Sequence, residues 1–204
     1  MTRVSLAALI AGARSGNWLV SFPTDTVPAI AVRPDRTELV FTAKQRSPNK
    51  PLIIMGATPA ALWPFAKGSA AEWQAWQQVA QQHWPGALTL VLPASNSVPD
   101  GINSGQPSTI GLRVPDAVVA QTILQQTGPL ATTSANLSGN PPLQSLAEIE
   151  LQFPDVLTPL PTDWTPWQLD STKSKLAAGV PSTVAKWTQM GWQILRQGAV
   201  ELKI

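Results

Sequence analysis

Short apolar runs that stop at a proline, a hydroxyl cluster or an arginine alternate along this chain with longer stretches whose apolar residues recur at helical spacing. That alternation restricts the fold to α/β, with helices laid against a sheet. Residues 4–14 read as a helix ended by Gly16, and Trp18-Leu19-Val20-Ser21-Phe22 reads as a buried strand stopped by Pro23. Asp35 or Thr37 can cap a helix through about Lys44, with Leu39, Val40 and Ala43 on its inner face, and 52–55 supplies the next strand. Together these make a strand-helix-strand unit. Residues 69–83 put Trp73, Trp76 and Ala80 on one helical stripe before Pro85-Gly86 breaks the pattern. Further strands are expected at 88–92, 109–114, 129–133, 183–187 and 192–196, and further helices at 116–126 and 145–152.

The 204 residues contain no Gly/Ser linker, charge block or repeat, so one domain over 1–204 is expected. Fourteen basic and twelve acidic side chains leave a net charge of +2, weak footing for a nucleic-acid surface. Cysteine is absent and His83 is the only histidine, which removes disulfides, thiol catalysis, thiolate metal sites and multi-histidine metal sites. No protein-borne metal site is expected. His83 stands at a helix end, where an imidazole bonds to terminal carbonyls more readily than it serves as a general base. The apolar run at 4–13 is too short to span a bilayer, and the chain reads as cytoplasmic with no membrane partner. Nine tryptophans could form a stacking surface for RNA, but the spacing within 63–84 suits packing instead. Residues 154–168, rich in Pro and Trp, read as an irregular loop, and 154–175 with Asp170-Ser171-Thr172-Lys173 reads as either a lid or a static surface loop.

No P-loop or dinucleotide-binding glycine pattern occurs, so a nucleotide would have to be held by other means. Lys44 and Arg46 converge only if their helix has already ended, which Ser47-Pro48 favours, and Lys50 adds a third cation before the strand. Arg113 and Arg196 each close an expected strand, where ligand crevices commonly lie. Fixed guanidiniums and lysines at such positions fit phosphate or carboxylate groups. Three hydroxyl-rich clusters share these boundaries: Ser108-Thr109, Thr132-Thr133-Ser134 with Asn136, and Ser182-Thr183. Thr26 adds another donor, while the role of Asp25 stays open between a local cap, an amine contact and a metal ligand.

Seven ordered blocks across about 5–200 resemble the YrdC/TsaC family of threonylcarbamoyl-AMP synthases: Phe22-Pro23-Thr24-Asp25-Thr26-Val27, Lys44-Gln45-Arg46 with Lys50-Pro51-Leu52, His83-Trp84-Pro85-Gly86-Ala87-Leu88-Thr89, Ser108-Thr109-Ile110-Gly111-Leu112-Arg113, Ser134-Ala135-Asn136, Pro181-Ser182-Thr183-Val184 and Ile194-Leu195-Arg196. The resemblance implies a twisted mixed β-sheet flanked by helices around a basic concave cavity. It implies a nucleotidyltransferase that converts L-threonine, bicarbonate and ATP, with Mg²⁺, to threonylcarbamoyl-AMP and pyrophosphate. That is the first step of the t6A modification at tRNA position 37, and it implies a downstream threonylcarbamoyl transferase and tRNA as partners. By the same resemblance Arg46, Lys50, Thr109, Asn136 and Arg196 bind ATP, Thr26, Arg113, Ser134 and Ser182 bind threonine, and Lys44 and Arg46 act catalytically by neutralising phosphate charge. The chain is similar to the short single-domain members.

Two positions depart from the family pattern. Pro28-Ala29 stand where members carry Tyr-Gly, and Met55 stands where many carry a histidine, so a phenol and an imidazole are both missing. The alternatives are a non-catalytic RNA- or nucleotide-binding relative, a member that has lost synthase activity, and the carbamoyl-adenylate chemistry of hydrogenase maturation proteins. The last of these works in larger, cysteine-containing chains.

Overall fold

A computed structural model describes residues 3–163 and 179–202. Its elements in chain order are β1 (Arg3–Val4), α1 (Leu6–Ser15), β2 (Val20–Phe22), β3 (Ala29–Val32), α2 (Glu38–Ala43), β4 (Ile53–Met55), α3 (Pro59–Leu62), α4 (Ala70–His83), β5 (Leu88–Pro93), β6 (Thr109–Arg113), α5 (Val118–Thr127), β7 (Leu130–Ser134), α6 (Leu146–Gln152), β8 (Thr158–Pro159), β9 (Thr183–Thr188) and β10 (Gly191–Arg196). Eight strands form one mixed sheet in the order β10-β9-β5-β6-β4-β7-β3-β2, and β1 pairs in parallel with β8. The α/β expectation therefore holds, with each expected strand and helix present within a few residues of its expected bounds.

Two expectations change. The short run Ala29-Ile30-Ala31-Val32 is a strand that the sequence reading passed over, because alanine has low β-propensity and Pro28 masks its start. Both β3 and β4 run antiparallel to β7, which lies between them, so the crossover carried by α2 starts from β3 rather than from β2. The loop expected over 154–168 is partly ordered: Thr158–Pro159 pairs with β1, and Leu157 bridges Val20. Residues 164–178, and with them 164–168 of that stretch and 164–175 of the lid candidate over 154–175, lie outside the described residues.

Strand alternation divides the core between the two faces. Ile30, Ile54, Leu90, Leu112 and Ala185 turn to one face and pack with Val40 and Phe41 of α2, with Trp76 and Ala80 of α4, and with Trp84. Ala29, Ala31 and Met55 turn to the other, where α1 and α5 cover one part with Leu9, Ile10, Ala13, Ala120 and Ile123. Helices α4 and α6 start at capping boxes, Ser69 with Glu72 and Ser145 with Glu148, which fixes where each enters the fold. Trp84, Trp63, Trp73, Trp76, Trp187 and Trp192 form a continuous series of ring contacts with centroids 5.0 to 6.2 Å apart. These six rings are packing elements, each contact stabilising by about 0.5–1.5 kcal/mol beyond simple burial.

Candidate active site

On the face shared with α1 and α5, the middle strands remain open and floor a cavity of about 390 Å³, a size suited to a small ligand. Strand register explains the floor: Val91, Gly111, Ile53 and Thr132 lie in one row across β5, β6, β4 and β7. Gly111 keeps this row low, because a Cβ there would meet Ile53 Cγ2 at 2.7 Å. Three guanidiniums, Arg46, Arg113 and Arg196, stand in the wall with Thr26, Thr89, Asn103, Gln106, Thr109 and Ser134. Among the described residues no carboxylate lines it.

Arg113 ends β6 and is the most constrained of the three. Its Nη2 donates to Asp25 Oδ1 at 2.7 Å, its Nη1 to Thr26 Oγ1 at 2.8 Å and its Nε to Gly86 O at 3.1 Å. Both side chains of the Asp25–Arg113 pair are only 3% exposed. Burial lowers the Arg113 pKa, and the carboxylate opposes that shift. The open role of Asp25 is thereby resolved as the counter-ion of Arg113. Arg196, at the end of β10, donates through Nε and Nη2 to Ser182 O, and Ser182 Oγ lies 2.9 Å from Thr89 Oγ1. Burial and then the charge of Arg113 lower the Arg196 pKa, so the two cations oppose one another across the wall and an anion between them would relieve both.

Arg46 reaches the cavity because α2 ends in a Schellman turn. Gln45 adopts φ 48°, Arg46 N donates to Phe41 O and Gln45 N to Thr42 O, so the chain reverses and brings the guanidinium to Pro51 O at 2.9 Å. Burial lowers the Arg46 pKa as well, and its Nε has no partner among the described residues. Thr109 opens β6, with the Asn103 amide nitrogen holding its carbonyl at 2.7 Å.

The structure thus gathers Thr26, Arg46, Thr109, Arg113, Ser134, Ser182 and Arg196 around one cavity. Three expected site residues, Lys44 as a catalytic residue and Lys50 and Asn136 as ATP ligands, do not line it. Lys44 is fully buried behind the wall, with its ammonium donating to Thr133 Oγ1 at 3.2 Å and to Ser134 O. Lys50 is exposed and donates to Ser138 Oγ at 2.7 Å, and Asn136 turns its amide into its own loop. The half-buried His83 also stands outside the lining. Thr89, Asn103, Gln106 and Gly111 are lining residues to which the sequence reading gave no role, although Thr89 and Gly111 lie inside two of its motif blocks. The expected basic cavity reduces to three guanidiniums, one of them matched by Asp25, in a wall otherwise of hydroxyl, amide and aliphatic groups.

Burial pushes the Lys44 pKa down to about 7, with the charge of Arg46 acting in the same direction. The unfolded chain holds that proton up to about pH 10.4. Between pH 7 and 10 the unfolded state therefore binds more protons, so stability should rise with pH by up to about 1.4 kcal/mol per unit and level off below 7. Denaturant midpoints from pH 6.5 to 9 should show this slope in the wild type and lose it in Lys44→Met. Parallel curves would contradict it.

The family model for Sua5, YciO and YrdC, described as telomere recombination, matches residues 13–198. This chain belongs to the Sua5/YciO/YrdC family. A threonylcarbamoyl-AMP synthase of Vibrio campbellii is 35% identical over 143 residues, 68% of this chain and 76% of that protein. One from Pyrococcus abyssi is 32% identical over 189 residues, 91% of this chain and 52% of that protein. The chain thus spans about half the length of its archaeal relative. The structure of P. abyssi Sua5 complexed with L-threonine aligns with a TM-score of 0.79 at 29% identity, covering 96% of this chain and 55% of that one. Escherichia coli YciO shares the fold, with a TM-score of 0.77 at 20% identity over 97% of this chain and 91% of that one. Set within the Sua5/YciO/YrdC fold, the two departures from the motif pattern both face the cavity: Pro28 and Ala29 precede and open β3, and Met55 pairs with Arg113 across β4 and β6. Among the described residues no helix is long and apolar enough to cross a membrane.

Proposed function

We propose that this chain is a threonylcarbamoyl-AMP synthase, joining L-threonine, bicarbonate and ATP into threonylcarbamoyl-AMP with release of pyrophosphate. The observation that carries the reading is the convergence of Arg46, Arg113 and Arg196 on one cavity that no carboxylate of the described residues lines, in a chain whose relatives bear that name. In this reading the threonine amine condenses with bicarbonate to a carbamate with loss of water, a carbamate oxygen attacks the α-phosphorus, and the bond to the pyrophosphate oxygen breaks. No protein nucleophile takes part, which suits a wall without cysteine or histidine. The guanidiniums hold reactants together and stabilise the charge that moves onto pyrophosphate.

Magnesium enters with ATP as the substrate's own counter-ion. The described residues hold no cluster of three acidic or histidine side chains, and Asp25 is engaged by Arg113, so they do not fit a resident metal and no step is routed through one. The product is a mixed anhydride whose threonylcarbamoyl group a separate cytoplasmic transferase would pass to tRNA as the t6A modification, with AMP leaving.

The deciding experiment measures pyrophosphate release from MgATP and bicarbonate with each standard amino acid, with the product mass determined in parallel. Threonine-dependent release and a threonylcarbamoyl-AMP mass are expected. The aliphatic Pro28, Ala29 and Met55 in the wall favour one second reading, a relative that binds nucleotide without threonine turnover. ATP binding without turnover would select it.

A further inference from the structure

Strand β10 leaves its regular register just before its last residue. Ile194 pairs with Ala185 and Arg196 with Val184, so Leu195 and Arg196 together oppose one residue of β9, which is a β-bulge. Strict alternation would carry Arg196 back to the side of Ile194 and Ala185, which pack into the core of the opposite face. The bulge instead leaves Leu195 and Arg196 both in the cavity wall beside Val184. One extra residue in the strand is what places a guanidinium here.

The turn after β10 then grips the start of β9 at three consecutive residues. Pro181 O accepts from Ala199 N at 3.0 Å, and Ser182 O accepts from Arg196 Nε at 3.1 Å and Nη2 at 2.7 Å. Thr183 Oγ1 accepts from Gly198 N at 3.0 Å and from Val200 N at 3.2 Å while donating to Val200 O. The fully buried Thr183 hydroxyl thus spends its one hydrogen and both lone pairs on the turn, and Ala87 O holds its backbone N–H at 3.0 Å. Gly198 lies so close that a Cβ there would overlap Pro181 O and Ser182 C and meet Thr183 N at 2.5 Å. With Nε and Nη2 engaged by Ser182, Arg196 keeps for the cavity the two hydrogens of Nη1, which has no partner among the described residues.

We infer that Thr183 and Gly198 are positioning residues that clasp the 197–200 turn onto β9 and thereby aim Arg196, which the bulge has brought into the wall, at an anionic group of the ligand. The inference rests on the synthase reading and refines it, the anion being the triphosphate of ATP. Other parts of the wall have their own supports: Ser182 Oγ lies 2.9 Å from Thr89 Oγ1, and Arg113 is held by Asp25 and Thr26. Loosening the clasp should therefore reach ATP and spare threonine.

Calorimetric affinities for MgATP and for L-threonine test it on wild type, Thr183→Val, Thr183→Ser, Gly198→Ala, Arg196→Ala and the double variant of Thr183→Val with Arg196→Ala. Thr183→Val keeps the side-chain shape without the hydroxyl, and Gly198→Ala alters no polar group. Each is expected to weaken MgATP by roughly 10-fold and to leave threonine within about 2-fold. Thr183→Ser keeps the hydroxyl and should bind MgATP like the wild type even where the lost methyl lowers Tm, which separates aim from stability. In the Arg196→Ala background Thr183→Val should cost MgATP less than about 2-fold, because it acts through a side chain already removed. An equal loss on MgATP with and without Arg196, or a matching loss on threonine, would overturn the inference. Either Thr183→Val or Gly198→Ala carries the test alone if the other fails to fold, and failure of both to fold would make the clasp a stability element and overturn the inference too. A wild type that binds no MgATP fails the synthase reading, and the inference with it. Wild-type MgATP binding that neither substitution weakens fails the inference only.

Discussion

Arg46→Ala is expected to lower the rate of pyrophosphate release by about 10²–10³ at saturating MgATP and threonine, while Lys67→Ala leaves it unchanged. Removal of one fixed donor from a developing oxyanion commonly costs that much when the contact strengthens in the transition state. Arg46 meets the geometric conditions for such a role. It stands in the cavity wall, its Nη2 is steadied by Pro51 O, and the Schellman turn at Gln45 gives its backbone one direction of approach. Lys67 is exposed and outside the lining, so it controls for a general loss of positive charge. Arg46→Lys separates the two components of the effect, since lysine restores the charge without the planar fork. Partial recovery in that variant would assign the loss to charge, and none would assign it to bidentate geometry. Equal rates for Arg46→Ala and Lys67→Ala would remove Arg46 from the reaction.

Much of this architecture is legible in the residues because local signals and tertiary demands agree. Ser69 and Ser145, each followed three residues later by a glutamate, announce α4 and α6, and the stripe of Trp73, Trp76 and Ala80 gives the buried face. Strand ends marked by Thr109 with Arg113, by Ser134 and by Arg196 border the cavity in space as they border strands in sequence. The misplacements concern direction rather than position. A Lys-x-Arg pair reads as two cations for one anion, but the left-handed turn at Gln45 sends Lys44 into the interior and Arg46 into the cavity. Asn136 lies two residues from Ser134, yet whether its amide faces a ligand or its own loop depends on where Leu137 and Asn140 place their carbonyls. The partner of Asp25 lies 88 residues away and is set by the sheet order β5-β6-β4-β7-β3, which no local pattern encodes.

That long-range pair carries the largest expected effect on the fold. Asp25→Ala should destabilise the protein by about 3–5 kcal/mol, because it leaves the Arg113 guanidinium buried with only neutral partners, Thr26 Oγ1 and Gly86 O. For a chain of this size that corresponds to a fall in Tm of roughly 6–20 °C. Asp25→Leu combined with Arg113→Met removes both charges at similar volume and should recover most of the loss, since a buried ion pair adds little over apolar packing once neither charge is left alone. Stability and binding then separate: the double variant melts near the wild type but loses affinity for anionic ligands at the Arg113 end of the cavity. Inorganic phosphate supplies an independent check, because an anion entering the cavity can take the place of the missing carboxylate. It should raise the Tm of Asp25→Ala more than that of the wild type, by mass action on the folded state. A Tm for Asp25→Ala within about 2 °C of the wild type would show that Arg113 is solvated through the cavity, and that Asp25 orients the guanidinium without stabilising its charge.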